Sequence, residues 1–241
     1  MPTTFKHSGD MGDIVFSLPA VRALVGIGGG AVLYLDPEGG ASEPLVQATT
    51  LAKRTRLNEA SIAVLAPLLR AQPYIQDVRP WRGEAVDCNL DAFRRFIQLN
   101  NVADMHLAAF QVPQSCRDAV WLFNIDPIED TSHYFVISRS VRQHGNHYFW
   151  EKFIHENRTR CVFVGLPKEH EIFEYTFGKK IDYRSTETIL DLARVIAGVP
   201  HFVGNSSLPH AVAEGMKRPL TAELCRVIPR IVFNRPSAKY V

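Results

Sequence analysis

A chain of 241 residues accommodates one large domain or two of about 110 to 120 residues each. Hydrophobic residues make up 46% and charged residues 22%, which excludes wholesale disorder and provides for a packed core. A net charge of +2 argues against a nucleic-acid-binding protein, since those carry a concentrated basic stripe.

The four cysteines, Cys88, Cys116, Cys161 and Cys225, are far apart and form no C-x-x-C pair, so neither a zinc site nor a thioredoxin-like motif is indicated. Reduced thiols fit a cytoplasmic protein. The N-terminus lacks the basic-then-apolar pattern of a signal peptide, and no segment approaches ~18–20 consecutive apolar residues, so a soluble protein without a transmembrane segment is expected.

In chain order, two Gly-Asp pairs, Gly9-Asp10 and Gly12-Asp13, precede an apolar run. Ile14 to Leu24 reads as a helix containing Pro19, and the glycines at 26–30 stop it. That glycine cluster precedes a strand, so it is a helix stop and not a phosphate loop. Ala31 to Leu35 is a buried strand. Glu59 to Ala71 has a helical period through Ile62, Leu65, Leu68 and Leu69, and Ile75 to Val78 is a weaker strand. Asn89 to Asn101 is amphipathic, and Met105 to Phe110 fits either strand or helix.

The polar, proline-containing stretch 124–131 reads as a linker. Beyond it the rhythm restarts: strand Tyr134–Ser138, helix Tyr148–Asn157, strand Cys161–Gly165, helix Glu187–Ala197, strand His201–Gly204, helix Pro209–Met216 and a last strand Arg230–Phe233. Trp150 and Phe153 read as core. Two repeating halves, 1–124 and 125–241, are expected, each an α/β unit with a parallel sheet. Ligands in such sheets bind at the carboxyl ends of strands.

The strand at His201–Val203 runs into Gly204-Asn205-Ser206-Ser207 and directly into a helix. Backbone N–H groups and two hydroxyls at such a turn suit a phosphate, with His210 on the first helical turn as a further donor. The plainer alternative is that Asn205 or Ser206 only caps the helix. His144, His147 and His155 are imperfectly spaced for one helical face and have no cluster of acidic or cysteine ligands beside them, so no metal is expected.

The opening GDMGDIVFSLPAVRAL resembles the amino-terminal signature of glycosyltransferase family 9, the ADP-heptose:lipopolysaccharide heptosyltransferases, and VGNSSLPHAVAEGMKRP resembles the same family's second signature. The resemblance implies the GT-B fold, two Rossmann-like domains facing across a cleft and here reduced in size, with residues 1–124 on the acceptor side and 125–241 binding the nucleotide sugar. It also implies that Asp13 is the general base on the acceptor hydroxyl, a role suited to a carboxylate at a strand-to-helix turn where Gly12 lets the acceptor approach the backbone. The plainer reading of Asp13 is a helix N-cap. Asp10 would orient Asp13 or repel its charge.

Three departures from the family pattern stand out. Ser206 occupies the usual acidic position, which leaves the sugar and ribose contacts open. Leu208 replaces a common glycine, and Arg139 or Arg142 stands in for a diphosphate-binding lysine, Lys152 lying too far along its helix. The chain is also shorter than typical members, which implies trimmed acceptor loops. The implied activity is transfer of a sugar from a nucleotide-diphosphate donor to an acceptor hydroxyl on a glycan. No cofactor beyond that donor substrate is expected, the diphosphate being held by Arg139 or Arg142, Gly204 to Ser207 and His210. The alternatives are a transferase acting on a hydroxylated base in DNA, and a nucleotide-binding module without catalysis.

Overall fold

The structure, a computed structural model, describes residues 1–37, 57–99, 101–225 and 230–241. The described chain divides into two compact units, Met1–Asn124 and Ile125–Val241.

The N-terminal unit runs β1 (Thr3–His7), α1 (Met11–Val25), β2 (Ala31–Leu35), α2 (Glu59–Arg70), β3 (Ile75–Pro80), β4 (Cys88–Asn89), a 3₁₀ turn (Leu90–Phe96) and α3 (Val102–Ala109). Its strands pair in parallel in the order β3-β2-β1-β4, with Phe5 opposite Leu33 on one side and Cys88 on the other. Helix α1 is buried continuously from Ile14 to Val21. A helix apolar all round belongs in an interior, and α1 packs against α3 there. The amphipathic stretch 89–101 is not one helix: Asn101 accepts from the amides of Ala103 and Asp104 and starts α3 afresh.

The C-terminal unit runs β5 (Phe135–Ser138), α4 (His147–Asn157), β6 (Cys161–Phe163), α5 (Pro167–Phe177), β7 (Asp182–Tyr183), α6 (Ile189–Gly198), β8 (His201–Asn205), α7 (Leu208–Gly215), β9 (Leu220–Glu223) and β10 (Ala238–Tyr240). Its parallel sheet has the order β10-β9-β8-β5-β6-β7, which from the other end is the 3-2-1-4-5-6 order of a doubly wound nucleotide-binding fold. Ile137, Trp150, Ile154, Phe163, Phe173 and Val203 form one core cluster.

The expected last strand at Arg230–Phe233 is corrected. Ile231 and Phe233 are buried, which produces the apolar alternation, but the strand that pairs with β9 is β10, with Ala238 opposite Leu220. Arg235 turns the chain by binding Glu214 and the Arg218 carbonyl.

The stretch between β5 and the preceding unit is irregular, and its two ends belong to different units. Gln72 accepts from Phe123 N at 2.6 Å and Tyr74 donates to the Trp121 carbonyl at 2.5 Å. Beyond the division, Ile128 N donates to the Arg194 carbonyl at 3.0 Å.

Candidate functional site

In each sheet the first strand lies inside, flanked on one side by the second strand and on the other by a later one. The strand order reverses there, and ligands of parallel sheets bind in the crevice at the carboxyl ends of the strands at such a reversal. In the N-terminal unit that end is His7, and the loop Ser8–Asp10 follows. Asp10 takes the N-cap position of α1, but its side chain makes no capping bond. Asp13 is the third helical residue, so it is not the cap, and its charge gains from the helix N-terminus.

Asp91, just beyond β4, ties the loop down. It accepts from Ser8 N at 3.0 Å, Ser8 Oγ at 2.7 Å and Arg94 Nη1 at 2.6 Å. Burial by itself would raise the Asp91 carboxyl, but the nearby His7, the Ser8 hydroxyl and Arg94 outweigh it and hold it low. Lys6 bonds Asp36 at 2.9 Å and lies over the Trp81 ring. Asp10, Gly12 and Asp13 are half-buried at this end of the sheet.

In the C-terminal unit the corresponding crevice lies between the loops after β5 and β8. Asn205 is fully buried. Its Oδ1 accepts from Ser140 N at 3.0 Å, and its Nδ2 donates to the Ser140 and Arg142 carbonyls at 3.1 and 2.7 Å. Asn205 is thus a staple between the two loops. Arg139 is buried and forms a two-pronged pair with Glu223, at 2.9 and 3.0 Å. Glu223 also accepts from Gly145 N, Asn146 N and Trp150 Nε1, at 2.7, 2.8 and 2.8 Å. Burial would raise the Glu223 carboxyl, but these donors bring it down to about 2. Held at both ends, the loop presents Arg142 on the surface.

Ser207 caps α7 by position, its hydroxyl donating to the Asn205 carbonyl at 3.1 Å. Ser206 and Ser207 are partly exposed. A Cβ at Gly204 would stand 2.5 Å from Phe202 Cζ and 2.9 Å from the Ser138 carbonyl oxygen, so only glycine fits there. His210 is wholly buried; burial, then the Arg235 charge, lowers it to about 3.

No protein-family model matches the sequence, and no curated protein matches it significantly. Among solved structures, the chain is similar to E. coli heptosyltransferase WaaC with ADP, at 11% identity and a TM-score of 0.62 over 100% of this chain and 92% of that one. It is similar to a family 9 glycosyl transferase from Veillonella parvula DSM 2008, at 13% identity and 0.54 over 100% and 85%. A third likeness, at 13% identity and 0.57, is to the dodecameric iron-containing glycosyltransferase TibC of enterotoxigenic E. coli H10407, covering 98% of this chain and 61% of that one. The chain has the fold of a family 9 glycosyltransferase.

Within this family 9 fold the expected residues divide in two. Asp10, Gly12 and Asp13 gather at the carboxyl end of β1, and Arg142, Ser206 and Ser207 at those of β5 and β8. Arg139, Asn205 and His210 lie in the interior: Arg139 pairs with Glu223, Asn205 bonds the Ser140–Arg142 loop, and His210 is wholly buried. Asp91, Glu223 and Glu169 were missed. Glu169 is raised by burial, with the Leu166 amide and Arg142 opposing, which puts a carboxyl beside the exposed arginine. Its signal was present as the third residue of a helix that Pro167 opens. Among the described residues no group of His, Cys, Asp and Glu is arranged to hold a metal, and no helix is long and apolar enough to cross a membrane. A hollow of about 520 Å³ lined by Arg22, Ile27, Cys116 and Phe123 contains none of these residues.

Proposed function

We propose that the chain is a glycosyltransferase that moves a sugar from a nucleoside-diphosphate sugar to an acceptor hydroxyl. The observation that carries this reading is the placement of each motif at the strand-order reversal of its own parallel sheet, in a fold shared with family 9 enzymes. The C-terminal unit takes the donor. Arg142 and the first amides of α7, with the Ser206 and Ser207 hydroxyls, hold the diphosphate and stabilise its charge as it leaves. Glu169, next to Arg142, accepts from a sugar or ribose hydroxyl. The WaaC and TibC structures contain ADP or ADP-heptose, which supports an adenine nucleotide as the first donor to try.

The N-terminal unit takes the acceptor. Asp13 removes the hydroxyl proton as the anomeric carbon develops oxocarbenium character, and Gly12 leaves room for the acceptor beside the backbone. Asp10, at the cap position, orients Asp13.

The test is thermal unfolding with ADP-, GDP-, UDP- and CMP-linked sugars, followed by transfer assays with the best binder. A ligand at 100 times its Kd stabilises by about 2.7 kcal/mol. Binding without transfer to any glycan or hydroxylated base would leave a nucleotide-binding module, and binding of none would overturn the proposal.

A further inference from the structure

His7, the last residue of β1, is fully buried directly beneath the Gly9–Asp13 turn. Its Nδ1 accepts from Gly9 N at 2.8 Å, the same i to i+2 closure that an asparagine makes in an Asx turn. A nitrogen that accepts there carries no proton, so the proton sits on Nε2. The Asp13 main chain lies close enough to the ring to act on it. Below the ring are His106 and Phe93, with centroids at 5.2 and 5.7 Å, and Asp91 Oδ1 stands 3.7 Å from Nδ1. Burial, only partly offset by Asp91, lowers the imidazole to about 4, so it is neutral at neutral pH.

Above the ring the packing is equally tight. A Cβ at Gly9 would lie 2.6 Å from His7 Cε1 and 3.1 Å from Asp13 Oδ2. The imidazole and the Asp13 carboxylate therefore both stand against the side of Gly9 that a side chain would occupy. A movement of Gly9 or of the ring therefore changes the space in which the carboxylate rests.

We propose that His7 is a positioning residue for Asp13: by holding Gly9 N and bracing the Asp13 main chain, it fixes the carboxylate in its reactive place. This rests on the base role proposed for Asp13. The competing view is that the ring merely fills space, and two substitutions separate them. His7→Phe keeps an aromatic ring against Phe93 but cannot accept from Gly9. His7→Asn restores the acceptor and leaves a gap.

Positioning predicts that His7→Phe lowers kcat about ten- to a hundred-fold, the cost of a displacement on the order of 1 Å, with donor Kd unchanged. It predicts that His7→Asn recovers most of kcat per folded molecule despite a lower Tm. Space-filling predicts the reverse order. Amide exchange at Gly9 reads the same brace without turnover: at least tenfold faster in His7→Phe and near wild type in His7→Asn. Equal exchange in the two variants, or wild-type kcat in His7→Phe while Asp13→Asn is inactive, overturns this inference alone. Wild-type turnover in Asp13→Asn overturns the base role and this inference together.

Discussion

Replacing Glu223 by Gln removes one negative charge from the interior of the C-terminal unit with little change of shape. Wherever the single remaining oxygen is placed, the new amide nitrogen faces donors. If the oxygen keeps Gly145 N, Asn146 N and Arg139 Nη2, the nitrogen meets Arg139 Nε and Trp150 Nε1, both of which now donate to Oε2. Arg139, 7% exposed, loses its counter-charge. The carboxyl's fall from 4.5 to about 2 corresponds to a favourable interaction of the charged form on the order of 3–4 kcal/mol at about 1.4 kcal/mol per pH unit. Breaking a buried pair by removing one partner costs about 3–5 kcal/mol, so the two routes agree. For a unit of this size the loss corresponds to a Tm decrease on the order of 10–15 °C.

The pH dependence checks the cause. A carboxylate depressed in the folded state contributes stability that is present above 4.5 and lost as pH falls through about 2. Unfolding followed by fluorescence and circular dichroism at several pH values should show wild type approaching Glu223→Gln as pH falls through that window. A Tm decrease below about 3 °C, or parallel pH profiles for the two proteins, would refute the reasoning. Arg139→Met combined with Glu223→Leu should recover much of the loss, because no unpaired charge remains.

Asp13→Asn should lower kcat by about 10²- to 10⁴-fold with little change in donor Kd, while Asp10→Asn has the smaller effect; transfer kinetics and nucleotide titration separate the two. Ser206→Leu with Ser207→Leu should weaken nucleoside-diphosphate binding more than tenfold in calorimetry, with the Tm staying within a few degrees because both side chains are partly exposed. Gly204→Ala should cost about 1–3 kcal/mol in urea unfolding, since the Ser138 carbonyl oxygen would stand 2.9 Å from the new methyl.

The buried parallel strands were legible because they read as short apolar runs, as at Ala31–Leu35 and Cys161–Phe163. Helix α2 was legible from its period. Other elements carry no such signature. Strand β4 is two residues long, and β7 exposes Asp182. In α5 the first turn and exposed face are so polar that only Phe173 is buried. Strand β9 contributes Thr221 and ends in Glu223, whose burial depends on an arginine 84 residues away. At the candidate site the residue types and their order could be read, but the division between exposed and interior polar groups could not. Nothing local marks Arg139 as buried and Arg142 as exposed; the partner that decides it comes from another strand.

That division follows one rule in both units. A side chain that meets a ligand at a sheet's carboxyl end stands on a loop, and a loop left to itself has many conformations, whose loss opposes binding. Here a buried polar residue fixes each loop beforehand: Asn205 and Glu223 hold the segment that presents Arg142, and Asp91 and His7 hold the segment beneath Asp13. The interior partners are charged or strongly hydrogen-bonding because backbone amides buried at a loop base need acceptors. They therefore resemble site residues in sequence while lying in the interior. Substitution of an interior partner should consequently weaken binding or turnover and stability together. Substitution of an exposed residue, Arg142 or Ser206, should change binding alone.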